Sequence, residues 1–345
     1  MRWITGLTAL ALALAVPATA LAQTAPTWTL SSTTVDARLR GLSAVNGQIA
    51  WVSGSKGTVL RTEDAGRTWL SVPPEGTAAL DFRDIQAFDE HRAVALSIGP
   101  GDQSRIYRTT DGGKHWATVR TNTDPAAFYD CMAFFDERHG LVVGDPVNGR
   151  IQVLATDDGG RSWQVLPAEG MPAAQPGEAQ FAASGQCVST DGDRDAWIGT
   201  GGGAHARVLH SGDRGRTWTA VDTPLASSQS AGVFSVAFRD WRHGLAIGGD
   251  YATPTATGTA LALTSDTGAH WRVPAQAPHG YRSGASWARG NSVVAVGPTG
   301  SDLSRDGGRH WQQFDTGSFD TVDCQQLTVC WAAGEHGRIG RLRLA

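Results

Sequence analysis

One phrase recurs six times along this chain: TEDAGRTW from Thr62, TTDGGKHW from Thr109, TDDGGRSW from Thr156, SGDRGRTW from Ser211, TSDTGAHW from Thr264 and SRDGGRHW from Ser304. Its aspartates, Asp64, Asp111, Asp158, Asp213, Asp266 and Asp306, are separated by 47, 47, 55, 53 and 40 residues. A unit of that length holds four short strands and their turns, the size of a β-propeller blade.

The remainder of the unit repeats as well. An apolar strand ending near Gly precedes each phrase, as in WVSGSKG at Trp51, LVVGDPVNG at Leu141, WIGTGGG at Trp197, LAIGGD at Leu245 and VAVGPTG at Val294, with the looser VALSIGPG at Val94. A seventh such strand, WAAGEHG at Trp331, has no phrase after it, because the sequence ends at Ala345. Near the other end, PTWTL places Trp28 between two threonines, like Trp218 in the fourth phrase. The sequence therefore predicts an all-β, seven-bladed propeller closed by an N-terminal strand that completes the last blade; closure protects strand edges. Helical periodicity is nearly absent. The Pro-, Gly- and Ser-rich stretches 168–177, 225–232 and 251–258 read as connections between or within blades.

The phrase, S/T-x-D-x-G-x-x-W, is the Asp-box, and each residue type in it has a structural use. Asp accepts backbone N–H groups inside a turn, Gly takes the left-handed position, and the hydroxyl satisfies a further local group. Trp packs between sheets and buries a large apolar area. Six equivalent copies around a ring lie far apart and cannot converge on one substrate. They read as structural fastenings, as do the turns DERHG and DWRHG with His139 and His243.

The first residues carry Arg2, an apolar run and the small-x-small triplet Ala20, Leu21, Ala22, which reads as a signal peptide over residues 1–22 and a single domain over 23–345. Periplasmic or secreted location follows, and the apolar run is too short for a membrane span. In an oxidising compartment four cysteines are disulfide candidates. The expected pairs are Cys131 with Cys187, on consecutive inner strands, and Cys324 with Cys330, across a hairpin. A formal net charge of −4 offers no footprint for nucleic acid. No metal site or cofactor is expected: CxxC and His-rich spacings are missing, and GTGGGAH at Gly199 lies between strands and opens no helix.

Function should lie among residues that do not repeat. Propellers bind ligands near the axis, on the face formed by inner-strand starts and by loops joining second to third strands. Those positions hold Arg40, Arg83, Asp130 and Arg282 on the strands, and Asp145, His205, Asp250 and Glu335 on the loops. A ring of guanidinium and carboxylate groups can bind an acidic peptide or ligand through charge-assisted hydrogen bonds. The reading is a monomer with a protein or peptide partner and no catalytic residues.

The segment LRGLSAVNGQIAWVSGSKGTVLRTEDAGRTW, from Leu39 to Trp69, resembles a blade of the photosystem II stability/assembly factor family. FYDCMAFFDERHGLVVGDPVNGRIQVLATDDGGRSW is similar to exported bacterial members. In photosynthetic members the resemblance implies a non-catalytic assembly chaperone that binds a membrane-protein subunit through an Arg-rich patch, matched by position at Arg40, Arg83 and Arg282. Asp-boxes also occur in sialidases and other glycoside hydrolases. A periplasmic hydrolase would draw its acids from Asp130, Asp145, Glu178 and Asp250, or pair Glu178 with Tyr129 or Tyr281. The Arg-Ile-Pro segment typical of sialidases has no counterpart; LRGL and FRDI stand where it would be.

Overall fold

A computed structural model describes residues 25–344 other than 257 and 326. The signal-peptide reading falls on residues outside this range. Seven antiparallel sheets stand around a central axis. Blade 1 runs outward through Leu39–Ala44, Ala50–Gly54, Thr58–Thr62 and Leu70–Ser71. The inner strands of blades 2 to 7 are Asp81–Ala87, Tyr129–Phe134, Val188–Asp191, Ala231–Phe238, Gly284–Trp287 and Thr321–Asp323. Blade 7 closes as the sequence predicts. Thr29–Ser31 pairs antiparallel with Ile339–Arg343, in the register Thr29 to Arg341 and Ser31 to Ile339.

Burial follows the radius. Second strands such as Ala50–Gly54 and Val293–Gly297 are buried along their whole length, because each lies mid-sheet with a neighbouring blade on both faces. That explains their unbroken apolar runs. Outer strands such as Leu70–Ser71 and Gln164–Val165 are short and exposed. Blade 5 departs from the expected four strands. It has three, and its outer position is reduced to one bridge between Leu263 and Arg272.

The apolar core consists of seven clusters, one at each junction between blades. The box tryptophans sit in six of them. Trp69 packs edge-on to Trp331 of blade 7, and Trp116 edge-on to Trp51 of blade 1. Trp28 fills the seventh junction with Phe314 and Phe319, its indole N–H donating to Ser301 Oγ at 3.0 Å.

Every box repeats one hydrogen-bond set. In the second, Thr109 Oγ1 donates to Asp111 Oδ1 and accepts from Gly113 N, both at 3.0 Å, while His115 N donates to Asp111 Oδ1. Gly113 has φ 80°, a region that L-residues with a Cβ rarely enter. His139 and His243 donate or accept at Asp136 and Asp240 inside their own turns. Two disulfides are formed: Cys131–Cys187 ties blade 3 to the entry of blade 4, and Cys324–Cys330 spans the first hairpin of blade 7.

Candidate functional site

Following a blade outward, inner strands start on one face, here called upper, and the turns between third and fourth strands fall on the opposite face. The Asp-boxes are therefore on the lower rim, away from the upper axis.

At the upper axis the inner strands break their own regularity. The pairing shifts by one residue between Leu39 and Gly41, between Phe82 and Asp84, between Tyr129 and Cys131, and between Val233 and Ser235. The extra residues are Arg40, Arg83, Asp130 and Phe234. A bulge releases one side chain from the alternation that would bury it against a neighbouring blade and re-aims it. Arg40, Arg83 and Phe234 all line one upper cavity of about 580 Å³.

One wall of that cavity is cationic. Arg38 holds Asp320 with two bonds, Nε to Oδ2 at 2.8 Å and Nη2 to Oδ1 at 2.7 Å, and reaches Glu335 at 3.3 Å. Arg83 is held by Asp81 at 2.9 Å and by the carbonyl of Ala182. Arg40 differs: among the described residues no hydrogen bond or ion pair reaches it, and its Nε is enclosed without a partner. Desolvation, then the charges of Arg83 and Arg38, push its pKa down to about 10, so it is still charged at neutral pH.

The other wall is aromatic. Phe181 stacks on Phe234 with centroids 4.2 Å apart and rings 11° from parallel. Tyr251 and Tyr281 stand edge-on to Phe234, and Pro254 and Pro298 complete the lining. Burial, then the nearby Asp320, raises the Tyr281 phenol well above its ordinary range.

Other expected site residues are placed elsewhere. Arg282 is fully buried, with Nε 2.7 Å and Nη2 2.6 Å from Asp302 and Nη1 on Thr299 and the Tyr281 carbonyl; it is a core ion pair and not part of an exposed patch. Asp130 is buried beside Asp145, outside the cavity lining. Desolvation and the Asp145 charge raise its pKa far above the usual carboxylate value, against the pull of Arg83. Asp145 accepts from Gln180 N at 3.1 Å, and burial raises its pKa too. Asp250 caps Ala252 N at 2.9 Å, next to Tyr251. His205 is exposed on a loop, its backbone tied to Gln175. Glu178, a candidate acid, is buried on Arg207 and Thr200.

Sequence reasoning missed Arg38, Asp320, Phe181 and Phe234. Arg38 had a signal, since it alternates with Arg40 in RLR. Phe181 stands alone as a large residue in the small-residue stretch AQFAASGQC, which is a signal of the same kind.

The family model for the photosynthesis system II assembly factor YCF48 matches residues 25–128 and 115–318. The chain belongs to the YCF48 family. No curated protein matches it. Among solved structures it is similar to YCF48 bound to D1 peptide, with TM-score 0.64 and 16% identity over 94% of this chain and 99% of the other. YCF48 from Cyanidioschyzon merolae gives TM-score 0.63 and 15% identity over 92% and 98%. A GH74 enzyme from Niastella koreensis gives 0.62 and 14% identity over 90% of this chain but only 53% of its own. At these identities the likeness is one of fold, and the YCF48 structures share it over nearly their full length.

Proposed function

We propose that this member of the YCF48 family is an exported, non-catalytic binding scaffold that holds a carboxylate-bearing peptide in the upper axial cavity. The observation that carries the reading is Arg40. A guanidinium partly withdrawn from water with no ion-pair partner among the described residues carries a desolvation cost, and an anionic ligand at that position offsets it. Arg83 and Arg38 flank it, and bidentate guanidinium–carboxylate geometry suits the group. The relative solved with D1 peptide supports a peptide as the class of ligand.

A hydrolase reading draws less support. Glycoside hydrolysis needs two carboxyl groups about 5 to 10 Å apart across the sugar. The cavity lining includes one, Asp320, and Arg38 engages both of its oxygens. Export is supported by the Arg2-led apolar start and by two disulfides, which persist in oxidising compartments.

The test is a peptide array in which each acidic peptide is paired with its Gln or Asn counterpart. Binding should concentrate on the acidic members and disappear in Arg40→Ala. Equal binding of acidic and amide peptides, or an unchanged pattern in Arg40→Ala, would reject the reading.

A further inference from the structure

The axis of this propeller is not an open channel. Residues 166–187 join the outer strand of blade 3 to the inner strand of blade 4, and part of that run, 181–186, crosses the axis. Its attachments come from four other blades. Ser184 Oγ donates to the Ser283 carbonyl of blade 6 at 2.8 Å, and Gln186 Nε2 to the Val322 carbonyl of blade 7 at 2.8 Å. The Gln186 carbonyl accepts from Val236 N of blade 5 at 3.0 Å, and the Ala182 carbonyl accepts from Arg83 of blade 2. Gly185, at φ 72°, lies so close to Asp84 that a Cβ there would come within 2.8 Å of the carboxyl group.

The crossing segment is thus a partition. Phe181, Ala182 and Ala183 line the upper cavity, while Ser184, Gly185 and Gln186 line a separate lower one of about 290 Å³. Phe181 is its one large side chain, and the ring is fixed before any ligand arrives. One face lies on Phe234, Tyr251 stands edge-on at 6.5 Å, and Gly201 and Gly232 clear a slot for its edge. A Cβ on those glycines would come within 2.5 and 2.8 Å of Phe181 Cε2. An apolar shelf of this kind, set in the same cavity as an unpaired guanidinium, is preorganised for a ligand that is acidic at one point and apolar at the next.

We propose that the crossing segment, through Phe181, determines the ligand class of the upper cavity: a peptide in which a large apolar side chain lies beside the carboxylate bound at Arg40. The inference rests on the peptide-binding reading given above. Phe181 acts here as a specificity residue, and the segment's hold on Arg83 makes it a positioning element for the cationic wall.

The test uses two tetrapeptides with free carboxy termini, Gly-Ala-Phe-Glu and Gly-Ala-Gly-Glu, titrated by calorimetry into the full chain, Phe181→Ala, Phe181→Leu and Arg40→Ala. The wild-type chain should prefer the Phe peptide about tenfold, the worth of one aromatic contact. Phe181→Ala should abolish that preference and leave affinity for the Gly peptide unchanged. Phe181→Leu should restore part of the preference, and Arg40→Ala should weaken both peptides. Two results overturn the inference while leaving peptide binding intact: equal affinity of the wild-type chain for the two peptides, or an equal loss for both in Phe181→Ala. Failure of the wild-type chain to bind either peptide at millimolar concentration overturns the peptide-binding reading and this inference with it.

Discussion

The lower rim and the upper axis treat charge in opposite ways. At the rim, the Asp213 carboxylate receives Arg216 N at 2.9 Å, Thr217 N at 2.8 Å, Ser211 Oγ at 2.8 Å and Thr217 Oγ1 at 2.6 Å, all from within eight residues of chain. At the axis Arg40 has no hydrogen-bond or ion-pair partner among the described residues, and the aspartates Asp84 and Asp130 are buried with raised pKa values. A repeated polar residue is satisfied by its own turn and has no capacity left for a ligand. An unrepeated one that the fold leaves unsatisfied is where a ligand gains most.

The contrast predicts that rim changes alter stability alone. Trp28→Ala, which empties the junction between blades 6 and 7, should cost about 3–5 kcal/mol of unfolding free energy in denaturant titrations, with peptide affinity unchanged in the folded fraction. Asp213→Ala should cost about 1–2 kcal/mol through its lost turn hydrogen bonds. A loss of affinity in either variant at temperatures where it is fully folded would break the separation of rim from axis.

Acid and alkali should also divide the two regions. Backbone and ring hydrogen bonds from His115 hold Asp111 at about 2, and Thr68 holds Asp64 likewise, against an ordinary 3.8. Their folded pKa values are depressed, so their contribution is present above about pH 4 and is lost as pH falls toward 2. Burial raises Asp84 to about 8. The folded state keeps a proton that the unfolded chain releases, so stability from this group is full below its unfolded pKa and declines as pH rises to about 8. Melting temperature should therefore fall on both sides of a mildly acidic optimum. In Asp84→Asn the alkaline decline should become shallower while the acid limb is unchanged, a smaller effect read by calorimetry across pH; an unaltered alkaline limb would place the titration elsewhere.

The blade count, the closing strand and the fastening role of the boxes were legible in the sequence because they rest on spacing. The cavity was less so. A bulge is a one-residue register shift, and nothing in LRG or FRD distinguishes it from regular alternation. The crossing segment finds its partners at separations of 99 and 136 residues, beyond any local pattern. Arg282 is a different case, since its burial had a signal. Two residues before the box hydroxyl, the third strands carry Leu60, Tyr107, Leu154, Leu209 and Ala262, but blade 6 has Asp302. A carboxylate at a position that is otherwise apolar requires a buried cation, and Arg282 supplies it. Phe181 and Arg38 were visible as residues, but the axis on which they meet was not.

The central claim is that Arg40 is held unpaired for a ligand at a cost to the free protein. It is tested by measuring peptide affinity and melting temperature together for Arg40→Ala. The account predicts that affinity for an acidic peptide falls by about tenfold or more, while the melting temperature stays at or above that of the wild-type chain. A variant that melts markedly lower and binds the peptide as before would make Arg40 one more structural fastening, and would contradict the account.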